Sequence, residues 1–98
     1  LVVGPDDRVV EANRAAETLF GRGRDDIVAR PVRELWPADA AAAWADLLAH
    51  ARREGAASPR AMPLERPGGA RATASVSASR VLVDGWEALL LVARTSGP

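Results

Sequence analysis

The apolar stretch Trp86–Ala93, near the end of the chain, most constrains the fold. Its sequence is Trp-Glu-Ala-Leu-Leu-Leu-Val-Ala, and every position except Glu87 is apolar. An antiparallel strand with one face in water alternates apolar and polar residues, and this stretch hardly alternates. We therefore expect a central strand covered on both faces, by helices on one side and by a flanking helix or a second copy of the domain on the other. A few exposed Leu or Val side chains are the plainer alternative.

Two further strands are predicted before it. Residues 70–83 alternate small or branched apolar residues with polar ones, which predicts one apolar face and one face lined by the hydroxyls of Ser75, Ser77 and Ser79. Asp84-Gly85 is a favoured hairpin turn and joins this strand to the last one. Residues 62–66 predict a shorter strand that ends at the turn 67–69, and residues 56–60 are expected to form a loop.

The stretch Val9–Gly21 predicts a strand, a capped helix and a helix end within thirteen residues. Its first residues are β-branched and favour a strand. Asn13 follows, and an Asn side chain can accept hydrogen bonds from the first N–H groups of a helix, so we interpret it as a structural cap. Gly21 stands where a helix ends, because Gly takes the left-handed conformation without steric cost. Residues 1–3 predict a first strand, so the chain begins with a hairpin.

The longest predicted helix covers residues 40–54 and begins after a cap at Asp39. Apolar residues, among them Trp44, Leu48 and Ala51, fall on one of its faces. Gly55 ends it. Shorter helical segments are predicted at 25–29 and 32–36. The predicted order is therefore two strands, four helical segments and three strands.

The composition is that of one globular domain, and its balanced charges do not attract a strongly charged partner. The chain has 98 residues, 48% hydrophobic and 27% charged, and its 13 basic residues balance 13 acidic ones. No net basic field exists to bind nucleic acid or an anionic membrane. Neither a signal peptide nor an apolar run of about 20 residues is present. Every basic residue is Arg and Ala is abundant, which indicates a GC-rich, bacterial genome.

Catalytic and metal sites have little support in the sequence. The absence of Cys excludes disulfides, thiolate catalysis and Cys-ligated zinc, and His50 is the only histidine. The acidic pairs 6–7 and 25–26 fall where turns and helix starts favour acids. No base lies near the serine row. We expect no catalytic residue and no metal site, and a small α+β enzyme is the least supported reading.

Several motifs then follow in a characteristic order. Val10–Glu17 pairs a strand with a helix-starting Asn, and Leu19–Gly21 gives a Leu/Phe-Gly helix end. Pro37–Asp39 is a Pro-x-Asp segment before the long helix, and Glu65–Gly69 is a charged strand end followed by Gly-Gly. Each motif is weak alone, but their order over residues 1–93 resembles the PAS domain family.

The resemblance implies an α+β fold with a five-stranded antiparallel sheet in the order 2-1-5-4-3 and helices on one face. It makes the last strand central, in agreement with its apolar pattern. PAS domains are sensory and interaction modules inside kinases, phosphatases, cyclic-dinucleotide enzymes and transcription regulators. One departure is Ala29, which replaces the glycine that PAS sequences carry before Arg30 and which we interpret as a mild change.

The resemblance also implies a function. We expect residues 1–98 to be a single PAS domain of a larger multidomain protein, cytoplasmic even where the parent is membrane-anchored, that senses a small apolar ligand and signals to an attached output domain. A sensor histidine kinase is one such parent. The expected ligand-binding residues are apolar and predicted to face the interior: Phe20, Ile27, Leu35, Trp36, Trp44, Leu48, Met62 and Leu89. Plain core packing is the alternative for the tryptophans.

A ligand-free homodimerisation module is the second reading, since many PAS domains dimerise through the outer sheet face. The expected interface residues are Leu1, Val3, Leu90 and Val92. No cofactor is expected. Haem-binding PAS domains supply a histidine from the long helix, but His50 falls beside the predicted inward face. The absence of Cys excludes a cysteinyl–flavin photoadduct.

Overall fold

A computed structural model describes residues 1–95, and residues 96–98 lie outside it. Five antiparallel strands form one sheet, and two α-helices and three short 3₁₀ turns cover one of its faces. The strands are β1 (Val2–Val3), β2 (Val9–Glu11), β3 (Ala56–Glu65), β4 (Arg71–Val83) and β5 (Trp86–Thr95). The helices are α1 (Arg14–Phe20) and α2 (Ala41–Glu54), and the 3₁₀ turns are Arg24–Asp26, Val32–Leu35 and Ala38–Ala40.

The sheet has the order β2-β1-β5-β4-β3, which confirms the prediction. β5 pairs with β4 over its whole length, from Trp86 opposite Val83 to Thr95 opposite Ala74. On its other side β1 pairs only as far as Leu1, whose carbonyl oxygen accepts from Leu91 N at 2.8 Å. The central strand is therefore paired along its whole length by β4 and at Leu89–Leu91 by the β1 side.

The core lies between the helices and the inner face of the sheet. The apolar face predicted for α2 is confirmed, since Trp44, Leu47, Leu48 and Ala51 are all buried. They pack in one cluster with alternate residues of the strands, among them Ala74, Val76, Ala78, Leu89 and Leu91. The indole Nε1 of Trp44 donates to Pro63 O at 2.9 Å and so ties α2 to β3.

The ends of both helices follow from single residues. Asn13 caps α1 as predicted, because its Oδ1 accepts from Ala16 N at 2.9 Å. Gly21 and Gly55 end the two helices with φ of 65° and 90°, where a side chain would be strained. The cap predicted at Asp39 is wrong. A 3₁₀ turn precedes α2, and the Asp39 carboxylate instead pairs with the Arg71 guanidinium at 3.1 Å.

The loop predicted for residues 56–60 is also wrong, because β3 begins at Ala56 directly after Gly55. Ser58 and Pro59 favour a loop locally. β4 is thirteen residues long, however, and it pairs with Ala56 and Ala57 at one end of β3 and with residues 60–65 at the other. The ladder is irregular between Ala57 and Arg60, and this irregularity accommodates the Ser-Pro pair.

Ala29 adopts a left-handed backbone with φ of 71°. Its position is fixed on both sides, since Ala29 N donates to Val9 O at 2.8 Å and Ala29 O accepts from Arg8 Nη1 at 2.8 Å. A Cβ in this region costs about 1–2 kcal/mol, whereas Gly adopts it freely. The backbone at Ala29 is therefore strained. The interpretation that Ala29 is a mild replacement for the glycine of PAS sequences is wrong.

We predict that Ala29→Gly stabilises the domain, because the relief of backbone strain exceeds the entropy that Gly loses on folding. The expected gain is about 0.5–1 kcal/mol in the free energy of unfolding. Ala49→Gly, the same change at an exposed position inside α2, is the matched control and should cost about 1 kcal/mol. Urea unfolding measures both, and an Ala29→Gly domain less stable than wild type would contradict the strain.

Candidate functional site

An apolar cavity of about 150 Å³, partly open to the surface, lies between α1, α2 and β5. A cavity of this size with apolar walls can hold one benzene ring. Its walls come from four parts of the chain: Leu1 before β1; Asn13, Ala15, Ala16, Leu19 and Phe20 around α1; Trp44 on α2; and Val76 with residues 90–93 on the sheet.

Local contacts hold these walls in place. The Asn13 cap starts α1 at the point that turns Ala16, Leu19 and Phe20 towards the core. The other end of α1 is tied to the β3–β4 hairpin, since Arg66 Nε donates to Leu19 O at 2.9 Å. On the α2 side, Trp44 stacks on Trp36 with ring centroids 4.4 Å apart and planes 3° apart. The Trp44 ring is therefore held by a neighbouring ring and by its hydrogen bond to β3.

The cavity is unsuited to a charged group. Asn13 is the one polar side chain among its lining residues, and the Oδ1 of this residue is already engaged by the helix cap. The nitrogen of Leu1 donates to Leu91 O at 3.3 Å. An uncharged, mainly apolar ligand is the kind that such walls accept.

The eight predicted ligand-binding residues are all buried, none with more than 7% of its surface exposed. Phe20 and Trp44 line the cavity. Trp36 and Leu48 instead border a groove on the outer side of α2. The other four fill the interior away from the cavity: Ile27, Leu35, Met62 and Leu89. Ligand binding by any of the eight stays a prediction.

Most of the cavity wall consists of residues outside the predicted ligand-binding set. Ala15, Ala16 and Ala93 leave the space open because they are small, and Val76 and Leu91 close it from the sheet. The alternating pattern of β4 did mark Val76 as inward-facing. No sequence signal, however, indicates that the alanines of α1 lie opposite those of β5.

The outer face of the sheet is apolar where β4 and β5 pair. Reading along the ladder, the outward pairs are Val83–Trp86, Val81–Ala88, Ser79–Leu90, Ser77–Val92 and Ser75–Arg94, and the first four pairs form a strip without a charged residue. Trp86 is 36% exposed and Val92 44%. A sheet face in water usually carries charged or strongly polar residues, so this uncharged strip is unusual for a monomer surface.

Two of the four predicted interface residues do not lie on this strip. Val3 is completely buried in the core and offers no surface to a second copy, so its place at an interface is wrong. Leu1 is partly buried and packs against the same core. Leu90 and Val92 do lie on the strip, and their role as interface residues stays a prediction.

Titratable groups do not converge at the cavity. His50 lies on α2 outside the buried face of Trp44, Leu47, Leu48 and Ala51, and it is partly exposed. Within residues 1–95, no three His, Cys, Asp or Glu side chains are close enough to hold a metal ion.

Comparison with known proteins agrees with this geometry. The family model described as PAS fold matches residues 1–95. The PAS domain of a protein from Colwellia psychrerythraea is similar in structure, with a TM-score of 0.82 at 16% identity over 98% of this chain and 83% of that one.

A light-oxygen-voltage domain studied with a flavin analogue is also similar, with a TM-score of 0.72 at 14% identity over 96% of this chain and 75% of that one. Both likenesses concern the fold alone. No curated protein sequence matches the chain significantly. On the evidence of the family model, the chain belongs to the PAS-fold family, whose members are generally sensory and signalling modules rather than enzymes.

Proposed function

We propose that this domain senses a small, uncharged apolar molecule and relays its presence to an output domain of a bacterial regulatory protein, such as a sensor histidine kinase, in the cytoplasm. The observation that carries the proposal is the apolar cavity of about 150 Å³ between α1 and β5. None of the helices within residues 1–95 has the length and apolarity to cross a membrane.

The size of the cavity sets the expected ligand and its affinity. Empty apolar cavities cost roughly 24 cal/mol per Å³, so complete filling of this one could return at most about 3–4 kcal/mol. A free energy of that order corresponds to a dissociation constant in the millimolar range. The cognate molecule therefore has roughly six to eight heavy atoms, and tighter binding requires a hydrogen bond in addition to apolar contact.

The cavity is connected to the outer face of the sheet by β5 itself. Successive residues of a strand point to opposite faces. Leu91 and Ala93 thus face the cavity side, and Leu90 and Val92 lie on the outer strip. A ligand that favours one position of β5 favours one arrangement of the outer strip, which is a shift between existing populations.

Benzene is a suitable probe of the site. At a free benzene concentration of about five times the dissociation constant, it should stabilise the domain by about 1 kcal/mol and raise Tm by about 4–8 °C. Ala16→Leu, which fills the cavity, should abolish the increase. Ala45→Leu is the matched control, because Ala45 is exposed on the other side of α2, and it should leave the increase unchanged.

Thermal unfolding followed by circular dichroism measures all three proteins. An increase in Tm of equal size in wild type and Ala16→Leu would contradict the cavity as the site. Failure of benzene to stabilise the wild-type domain at any concentration up to its solubility in water would also contradict the cavity as the site.

Homodimerisation is the second function that a specific observation favours. The uncharged strip on the outer face of β4 and β5 exposes Trp86 and Val92. A second copy placed against the strip would cover both side chains. This function is compatible with ligand sensing, because the strip and the cavity share β5.

We predict that Val92→Glu weakens the dimer at least about tenfold, since it buries an unpaired carboxylate at the seam. Leu82→Glu is the matched control. Leu82 is 73% exposed and apolar, but it belongs to the alternate positions of β4 that point away from the strip. Sedimentation velocity should show dimers for wild type and Leu82→Glu. A wild-type domain that stays monomeric at millimolar concentration would contradict this function.

A further inference from the structure

We propose that two copies of this domain meet through the uncharged strip in an antiparallel register, in which Arg94 of each copy lies against Trp86 and Asp84 of the other. The inference rests on the proposed homodimer and adds its orientation and the charged residues that select it. Homodimerisation by itself leaves both open, because an uncharged strip can pack on its copy in either strand direction.

The strip has opposite charges at its two ends. Asp84 lies in the β4–β5 turn, directly after Val83 of the first outward pair. Arg94 lies at the other end, one outward position beyond Val92. Both charged residues are exposed, and neither takes part in an ion pair within residues 1–95. The outer face of β4 and β5 therefore has an acidic end and a basic end with uncharged side chains between them.

These charges distinguish the two ways in which the sheets can pack face to face about a two-fold axis. In a parallel arrangement each end of the strip meets its own counterpart. The two Asp84 carboxylates then share one end of the seam and the two Arg94 guanidinium groups share the other, and like charges repel. In an antiparallel arrangement each acidic end meets a basic end. Charge complementarity therefore selects the antiparallel register.

The centre of this register is Ser79–Leu90, the middle one of the five outward pairs. About this centre, Trp86 at the start of β5 faces Arg94 of the other copy. The indole of Trp86 is 36% exposed, and a guanidinium placed over its face is attracted by the ring electrons. Asp84 lies in the adjoining turn, within reach of the same long side chain. Each Arg94 thus gains an aromatic and an acidic partner that its own chain does not supply.

Side-chain sizes along the strip are compatible with this register. Val92 faces Ala88 of the other copy, and Val81 faces Ser77. A branched side chain therefore lies opposite a small one on both strands, which allows the two faces to interdigitate.

Cross-linking of single-cysteine variants tests the register, since the chain contains no Cys. Ser75→Cys and Val83→Cys place a thiol at opposite ends of the strip on β4, roughly 27 Å apart at about 3.4 Å per residue. In the antiparallel register the thiols of the two variants face each other across the seam. Two thiols of the same variant are then roughly 27 Å apart along the strands.

A short bismaleimide linker should therefore join Ser75→Cys chains to Val83→Cys chains in a mixture and leave each variant alone unlinked. Intact mass spectrometry identifies the products, because the two variants differ in mass. Linking of either variant to itself without a mixed product would overturn the antiparallel register and leave the homodimer intact.

Neutral variants test the selection by charge. Arg94→Gln and Asp84→Asn should each weaken the dimer about two- to tenfold, because each removes both ion pairs of the seam. The double variant should dimerise no more weakly than Arg94→Gln, since the same pairs are already broken. Asn-Gly retains the turn, in which Asp84 and Gly85 have φ of 49° and 87°.

Arg33→Gln is the matched control and should leave the dimer unchanged. Arg33 is exposed in the helical layer and takes part in no ion pair within residues 1–95. Sedimentation velocity measures every variant. Neutral variants at Asp84 and Arg94 that dimerise as tightly as wild type, or more tightly, would overturn the selection by charge. A wild-type domain that stays monomeric and gives no linked product would overturn both this inference and the homodimer.

Discussion

The pairing of β5 is the constraint on which the rest of the structure depends. β4 pairs with it along its whole length, so it cannot move without the other long strand. On its other side it pairs with β1 at Leu89–Leu91. Residues 90–93 of the same strand border the cavity. One strand thus joins the centre of the sheet to the cavity wall.

Periodicity and local residue chemistry were sufficient to predict the buried face of α2 and the Asn13 cap, because each depends on residues close in sequence. The apolar pattern of β5 predicted a central strand, and the full sheet order came from the resemblance to PAS domains. The start of β3 could not be predicted in this way. Ser58 and Pro59 favour a loop locally, and only the length of β4 opposite them makes a strand. Ala29 was misjudged for a related reason, since its cost lies in the backbone angle that the fold imposes and not in the size of its side chain.

The candidate site shows a different limit. Large apolar residues such as Ile27, Leu35 and Leu89 are readily identified as interior, and they are interior, but they fill space rather than enclose it. A cavity forms where the side chains are too small to fill the space between packed elements, so small residues line it. Ala16 and Ala93 form such a deficit only because the fold brings α1 against the end of β5. Sequence spacing does not report that contact, which joins residues nearly eighty positions apart.

The central claim is that ligands enter between α1 and β5 and not among the large residues of the core. Methyl NMR of the wild-type domain, titrated with benzene, tests it most directly. The account predicts saturable shifts for the methyl groups of Leu19, Val76 and Leu91, which line the cavity, and little change for Ile27, Leu35 and Leu64, which are fully packed. Shifts confined to the second group, or no saturable shift at either, would contradict it.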